Sequence, residues 1–320
     1  MTECCVNINK AIRSFRTHRY RCVRTGVRSM ILSKREKIIP YLFLVPAFLG
    51  LGIFRLAPII SSLLDSFTTV SFVGGITRKF CGLKNYVFAL TDPVFLKSLR
   101  NTLIFTLIVN PFEVLWAFIL ALLVYKHGKG MGAFRTIFFV PFTMSLAITA
   151  TIWGIMFNPN GGFINSILGL IRIKPLQFLT SPSQALGSII FLVSWRCVGY
   201  WMIFLISGLQ NISQSLYESA WIDGARAWQS FWYITLPMMK RTLLFVIVAD
   251  TTQNFLMFTP MYILTGGGPE NATNVAMYEA YKNVFIYTDR GVGNAMVIII
   301  ILMILTVVFC EFKFIRSRET

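Results

Sequence analysis

Six runs of apolar residues recur along the chain, at about 39–64, 101–125, 136–157, 184–208, 242–264 and 291–310. A bilayer core of about 30 Å takes roughly 20 apolar residues in helical form. The runs are too long and too uniform to be barrel strands, and hydrocarbon obliges each backbone amide to find its partner inside its own segment. The pattern predicts an all-α polytopic membrane protein with six transmembrane helices over 39–315, preceded by a basic tail over 1–38. Pro40, Pro46 and Pro58 are expected to break up the first run, and Pro111 lies inside the second.

Polar residues within the runs are few enough to name. Arg55, Glu113, Arg196 and Asp250 carry charge at membrane depth, where a charge costs about 2.5–3.5 kcal/mol and tends to face a cavity or a partner. The middle of the fifth run is unusually polar, with Asp250, Gln253 and Asn254 followed by Phe255 and Phe258. Amides and carboxylates bind hydroxyls, and rings stack on apolar sugar faces. These five residues are the candidates for a solute path, and packing between helices is the alternative for each.

The longest connection between the later runs, 209–241, has its own pattern. Ser215 to Glu218 fits a capping box that starts a short helix, and Leu216, Tyr217, Ala220 and Trp221 recur at helical spacing. Asp223-Gly224 stops that helix, since glycine takes the left-handed conformation past a helix end. A second short segment leads to Ile234-Thr235-Leu236-Pro237, where Pro237 can open the fifth span. Such an amphipathic pair fits a groove on a partner protein or a lipid surface equally well.

Composition agrees with a membrane protein and narrows its chemistry. Of the 320 residues 55% are apolar and 13% charged, against about 25% charged in a soluble domain. The net charge of +17 does not imply nucleic-acid binding, because ten of the thirty basic residues lie before Pro40, beside only two acids. That tail places both termini on the cytoplasmic side by the positive-inside rule, and its arginines can rest on anionic lipid. Cys4, Cys5, Cys22, Cys81, Cys197 and Cys310 form neither a CxxC spacing nor a dense framework, so no structural disulfide and no metal site are expected. The two histidines, His18 and His127, fall outside the apolar runs. No G-x-x-x-x-G-K-[ST] run is present, so ATP phosphates have no P-loop here. No HExxH or GxSxG motif suggests catalysis either.

Three ordered motifs carry a resemblance to permease subunits of carbohydrate-uptake ABC importers, of the maltose and glycerol-phosphate type. Glu218-Ser219-Ala220, Asp223-Gly224, Ile234 and Leu236-Pro237 match the EAA…G…I.LP loop of that family. Gly82-Leu83-Lys84-Asn85-Tyr86 with Asp92, Phe95 and Asn101-Thr102 forms the second motif, and Thr265-Gly266-Gly267-Gly268-Pro269 the third. Ser219 stands where the family usually has Ala, and Ser213 to Ser215 replace a common Pro.

The resemblance implies the type I importer transmembrane fold in the cytoplasmic membrane of a bacterium or archaeon. It implies a non-catalytic subunit without a cofactor of its own, alternating access, a second homologous permease, and two ATPase subunits that hold ATP and Mg. An extracytoplasmic solute-binding protein completes the set. Glu218 would touch the ATPase, Ala220 and Gly224 would allow close approach, and Leu236-Pro237 would form an elbow. Gly266, Gly267, Gly268 and Pro269 would meet the binding protein. An ion- or proton-coupled carrier working alone is the rival reading.

Overall fold

The computed structural model describes residues 34–71, 77–126 and 128–316. Most of the basic tail, with Arg13, Arg16, Arg19, Arg21, Arg24, Arg28 and His18, and the connection residue His127 lie outside them. The chain divides into two compact units, residues 1–61 and 62–320.

In the first unit α1 (Lys34–Leu51) passes through Pro40 and Pro46 without a break, contrary to the expectation from the sequence. It continues through a π turn, Gly52–Leu56, into α2 (Ala57–Asp65). The π turn explains how the helix accepts Pro58. A proline ring presses on the carbonyl four residues back and supplies no N–H, and widening the turn just ahead of it relieves both problems. The Ala57 N–H accordingly reaches the Gly52 carbonyl.

The second unit opens with a hairpin that apolar periodicity does not announce. β1 (Thr68–Ser71) pairs antiparallel with β2 (Thr77–Phe80), placing Thr68 opposite Phe80. Asn85, in α3 (Lys84–Thr91), anchors it by donating from Nδ2 to the carbonyls of Ser66 and Thr68, both at 2.9 Å. α4 (Pro93–Val124) starts eight residues ahead of the expected span because Asp92 caps it. The Asp92 carboxylate accepts from the N–H groups of Val94 and Phe95 at 3.1 and 3.2 Å, and Pro93 needs no N–H partner at the first position.

The third span differs most from its prediction. The run 136–157 is divided between α5 (Met131–Thr143) and α6 (Leu146–Met156), which meet at 94°. A side chain from far along the sequence holds the break. Arg196 Nη2 donates to the carbonyls of Phe142 and Met144 at 3.0 and 3.1 Å, taking over acceptors that a helix end leaves unpaired. Its guanidinium also lies 4.7 Å from the centre of the Phe142 ring.

The chain then forms α7 (Phe163–Leu170), a 3-10 turn at Phe178–Thr180, α8 (Pro182–Gln210), α9 (Gln214–Ile222), α10 (Ala227–Ser230) and a second π turn, Phe231–Thr235. It ends with α11 (Leu236–Phe255), α12 (Thr259–Leu264), α13 (Ala276–Phe285) and α14 (Arg290–Arg316). Among the described residues five helical stretches are long and apolar enough to cross a membrane, six when the bent pair is counted as one span. Among the described residues the fold is all-α apart from the hairpin.

Within the second unit α8 is the hub, packed against α4, α5 and α11. It buries Ile189, Leu192, Trp201, Met202 and Leu205. Gly199 lets α5 approach so closely that a Cβ there would strike the Phe138 carbonyl, the small-residue contact expected where lipid removes the hydrophobic drive between helices. A second cluster, with Phe95, Phe255, Ala280, Met296 and Ile300, joins α4, α11, α13 and α14.

Candidate functional site

The connection 209–241 forms a handle at one end of the second unit, between α8 and α11. Ser213, in extended backbone, is the N-cap of α9, and no side-chain cap bond forms. The expected Ser215–Glu218 capping box is therefore absent. Ser215 already lies inside the helix, and its hydroxyl pairs with that of Ser213 at 2.7 Å. A comparable bond occurs in the next segment, where the Arg226 N–H donates to Gln229 Oε1 at 2.7 Å.

The far end of α9 matches its prediction. Gly224 has φ +81, the Ala225 N–H reaches the Ala220 carbonyl at 2.9 Å and the Gly224 N–H reaches Trp221 at 3.0 Å. This pair of bonds is the Schellman stop, which needs a left-handed residue at Gly224. A Cβ there would meet nothing within 4 Å, so backbone conformation alone asks for glycine.

Pro237 does not open a separate helix as expected. α10, the π turn and α11 run on continuously, and the Leu236 N–H reaches the Phe231 carbonyl. The π turn sits ahead of Leu236-Pro237 as the other sits ahead of Ala57-Pro58, and the same steric argument accounts for both. The elbow is thus a widened turn within one stiff rod.

Burial divides the handle's residues. Tyr217 and Ala220 are half-buried, and the Tyr217 hydroxyl holds α9 to the π turn through Thr235 Oγ1 at 2.9 Å. Ile234 and Leu236 are half-buried beneath it, while Glu218, Ser219, Asp223 and Pro237 are exposed. Trp221, Ile222 and Tyr233 are each 81% exposed and Trp228 68%. A cleft of about 1030 Å³ separates α9 from the end of α4, with Tyr125, Lys126, Gln210, Tyr217, Glu218 and Trp221 on its walls.

The five solute-path candidates fall into two groups. Asp250, Asn254 and Phe255 are buried between helices, whereas Gln253 is exposed and Phe258 is half-buried against Tyr281, with ring centres 5.4 Å apart. Asp250 accepts from Trp201 Nε1 at 2.9 Å. The next residue, Thr251, donates to Glu311 Oε1 at 2.7 Å and receives Asn110 Nδ2. A largely apolar cleft of about 600 Å³ between α4, α11 and α14 is lined in part by this row of Asn110, Thr251 and Glu311. Trp201, Asn110 and Glu311 were not singled out by sequence. Glu311 sits just past the sixth apolar run, so its polarity there is the one available signal.

At the opposite end of α11 the glycine run is tightly held. Gly266 and Gly267 have φ +59 and +86, and the Gly268–Pro269 bond is cis. Asn101 Nδ2 donates to the carbonyls of Asn271 and Asn274 at 2.8 and 3.0 Å. The Ala276 N–H donates to Thr102 Oγ1 at 2.8 Å, and Thr273 Oγ1 donates to the Gly268 carbonyl at 2.7 Å. Two motifs distant in sequence thus meet here. Beside them, burial pushes the Tyr278 phenol up from its ordinary range.

The family model for the binding-protein-dependent transport system inner membrane component matches residues 95–315. The chain belongs to this family. It is 35% identical to a probable ABC transporter permease protein, YurN, of Bacillus subtilis, over 89% of this chain and 98% of that one. It is likewise 35% identical to the lactose transport system permease protein LacF of Rhizobium radiobacter, over 87% and 94%. A chain of a bacterial alginate ABC transporter, solved in complex with an alginate pentasaccharide-bound periplasmic protein, shares the fold with a TM-score of 0.78. Its identity is 23%, covering 91% of this chain and 98% of that one. The protein is thus a multi-pass permease component of an ABC importer.

Proposed function

We propose that this permease carries a carbohydrate-type solute across the cytoplasmic membrane of a bacterium or archaeon by alternating access, driven by ATP and Mg bound on two separate ATPase subunits. A second, homologous permease and an extracytoplasmic binding protein complete the assembly. Both termini and the 209–241 handle lie on the cytoplasmic side, and the 266–269 loop lies on the outer side, facing the binding protein.

The observation that carries this reading is the handle's exposed apolar surface, joined without a break to α11. Contiguous apolar exposure of this kind marks a surface completed by a partner. Glu218, Ser219, Asp223 and Gly224 rim that surface, Ala220, Ile234 and Leu236 back it, and Pro237 fixes the widened turn into α11. Movement of an ATPase clasping α9 is transmitted along the rod to the path residues Asp250, Gln253, Asn254, Phe255 and Phe258. The transport of lactose named for one relative and of trehalose and maltose named for another, 31% identical, supports the solute class.

Uptake of labelled sugars into vesicles tests the reading. It should stop when the cytoplasmic ATPase is removed while the proton gradient is intact. Uptake that persists on the gradient alone would favour the independent carrier instead.

A further inference from the structure

The break between α5 and α6 carries polarity that neither the handle nor the 266–269 loop uses. α5 runs for 13 residues from Met131 before it stops, about 20 Å of helix. Arg196, which holds the stop, lies midway between the ends of α8 at Pro182 and Gln210. Both positions put the break deep in a hydrocarbon layer of about 30 Å. Met144 and Ser145 have non-helical backbone there, with ψ 146 and 134. Thr143 and Ser145 are exposed, and Arg196 is half-buried.

Non-helical backbone at this depth is tolerated where protein buries it or where it lines a water-filled cavity. This chain leaves the turn open. The Ser145 side chain does not cap α6, so the leading N–H groups of that helix lack acceptors within it, and hydrocarbon supplies none. Thr143 Oγ1 donates to the Val140 carbonyl at 2.7 Å and keeps its lone pairs for an incoming donor.

Arg196 adds a charge to the same place. The Phe142 and Met144 carbonyls accept from Nη2, but carbonyl dipoles do not cancel a full charge. Among the described residues no carboxylate is paired with Arg196, and its Nε has no hydrogen-bond partner. Phe142, 4.7 Å from the guanidinium, is itself stacked on Tyr200 with ring centres 4.0 Å apart. These contacts tie the head group to the turn, so it does not reach an interface by snorkelling. An uncompensated charge held at this depth is costly against lipid and is accommodated beside water.

We propose that the turn Phe142–Ser145 lines the water-filled solute path, and that Arg196 both positions the turn and gives the path a fixed positive charge. This rests on the transport reading given under Proposed function and narrows its solute class. Hydroxyl-rich solutes that are neutral or anionic pass the exposed Thr143 and Ser145. Protonated amino sugars and small cations are repelled, as an arginine beside a pore repels them.

Thiol labelling of the assembled transporter in lipid nanodiscs tests the proposal. Thr143→Cys and Ser145→Cys are each treated with two small water-soluble methanethiosulfonates, one bearing a sulfonate and one a trimethylammonium group, and modification is read at the introduced cysteine by peptide mass spectrometry. After division by their rates with a free thiol, the sulfonate reagent should react about fivefold or more faster. That preference should shrink towards unity at about 1 M salt, where screening acts within about 3 Å. Arg196→Gln should abolish the preference and Arg196→Lys should retain it; if Arg196→Gln fails to assemble, the salt dependence decides. Attachment of the sulfonate group should also stop the uptake of whichever labelled sugar the parent transporter imports. No reaction at either position would show that lipid or the second permease covers the turn. Equal or reversed rates would show that the charge does not face the path, and uptake unaffected by complete modification would place the turn off it; each of these overturns the proposal. Uptake without an ATPase would defeat the importer reading yet leave the labelling pattern standing, so the two failures are distinguishable.

Discussion

The two ends of α11 lead into loops of opposite construction. At one end the 209–241 handle turns Trp221, Ile222 and Tyr233 outward, and neither α9 nor α10 has a buried residue. At the other end, residues 265–276 are fixed by their own side chains and by Asn101 and Thr102 reaching across from α4. Apolar surface left open marks a place that a partner protein or a membrane surface covers. Backbone carbonyls satisfied internally present a fixed outline instead. The comparison separates an open apolar surface from an internally tied loop on one rod.

The largest expected effect comes from altering the handle's stop. Gly224→Val imposes a left-handed conformation on a β-branched residue, at about 1–2 kcal/mol, with open space around the new side chain. The fold should survive while sugar uptake falls by about tenfold or more, a factor equivalent to about 1.4 kcal/mol. Uptake assays with parallel copurification of the ATPase check this, and normal uptake with normal recruitment would remove the handle's role.

Next is the tied loop. Asn101→Ala leaves the Asn271 and Asn274 carbonyls without their shared donor, a loss of about 1–3 kcal/mol. Amide exchange over 266–276 should accelerate and the melting temperature should drop. Unchanged exchange would show that the loop is not held from α4.

A smaller loss should follow Tyr217→Phe, which removes the 2.9 Å hydroxyl contact with Thr235 and so about 0.5–1.5 kcal/mol. The effect should appear as faster exchange in α9 alone.

The smallest effect on stability, within about 0.5 kcal/mol, is expected for exposed Trp221→Ala. The same variant should nevertheless lose ATPase binding. A destabilised chain that still recruits the ATPase would invert the comparison.

How far the sequence foretold these features depends on how local each one is. The six apolar runs were legible because bilayer thickness sets their length, and the stop at Asp223-Gly224 because a left-handed residue has a short signature. The break between Thr143 and Leu146 was not legible, since the run is apolar throughout and the side chain that stabilises the break, Arg196, lies 54 residues beyond Phe142. Asn101 and the Gly266 loop could each be noted by resemblance, but their contact spans about 170 residues and leaves no periodic trace. The capping box at Ser215 was a plausible local pattern overridden when Ser213 took the cap. Glu113 and Asp250 were visible as costly charges, while Trp201, the donor to Asp250, looked like one more apolar ring in α8.

The central claim is that 209–241 is a cytoplasmic handle gripped by a separate motor. Cross-linking from Ile222→Cys, at a position 81% exposed, tests it most directly in cells that express the whole transporter. The account predicts a nucleotide-dependent cross-link to the ATPase subunit, uptake arrested by that link, and no labelling of the cysteine by impermeant thiol reagents outside the cell. Labelling from outside, or full uptake with the cross-link in place, would contradict it.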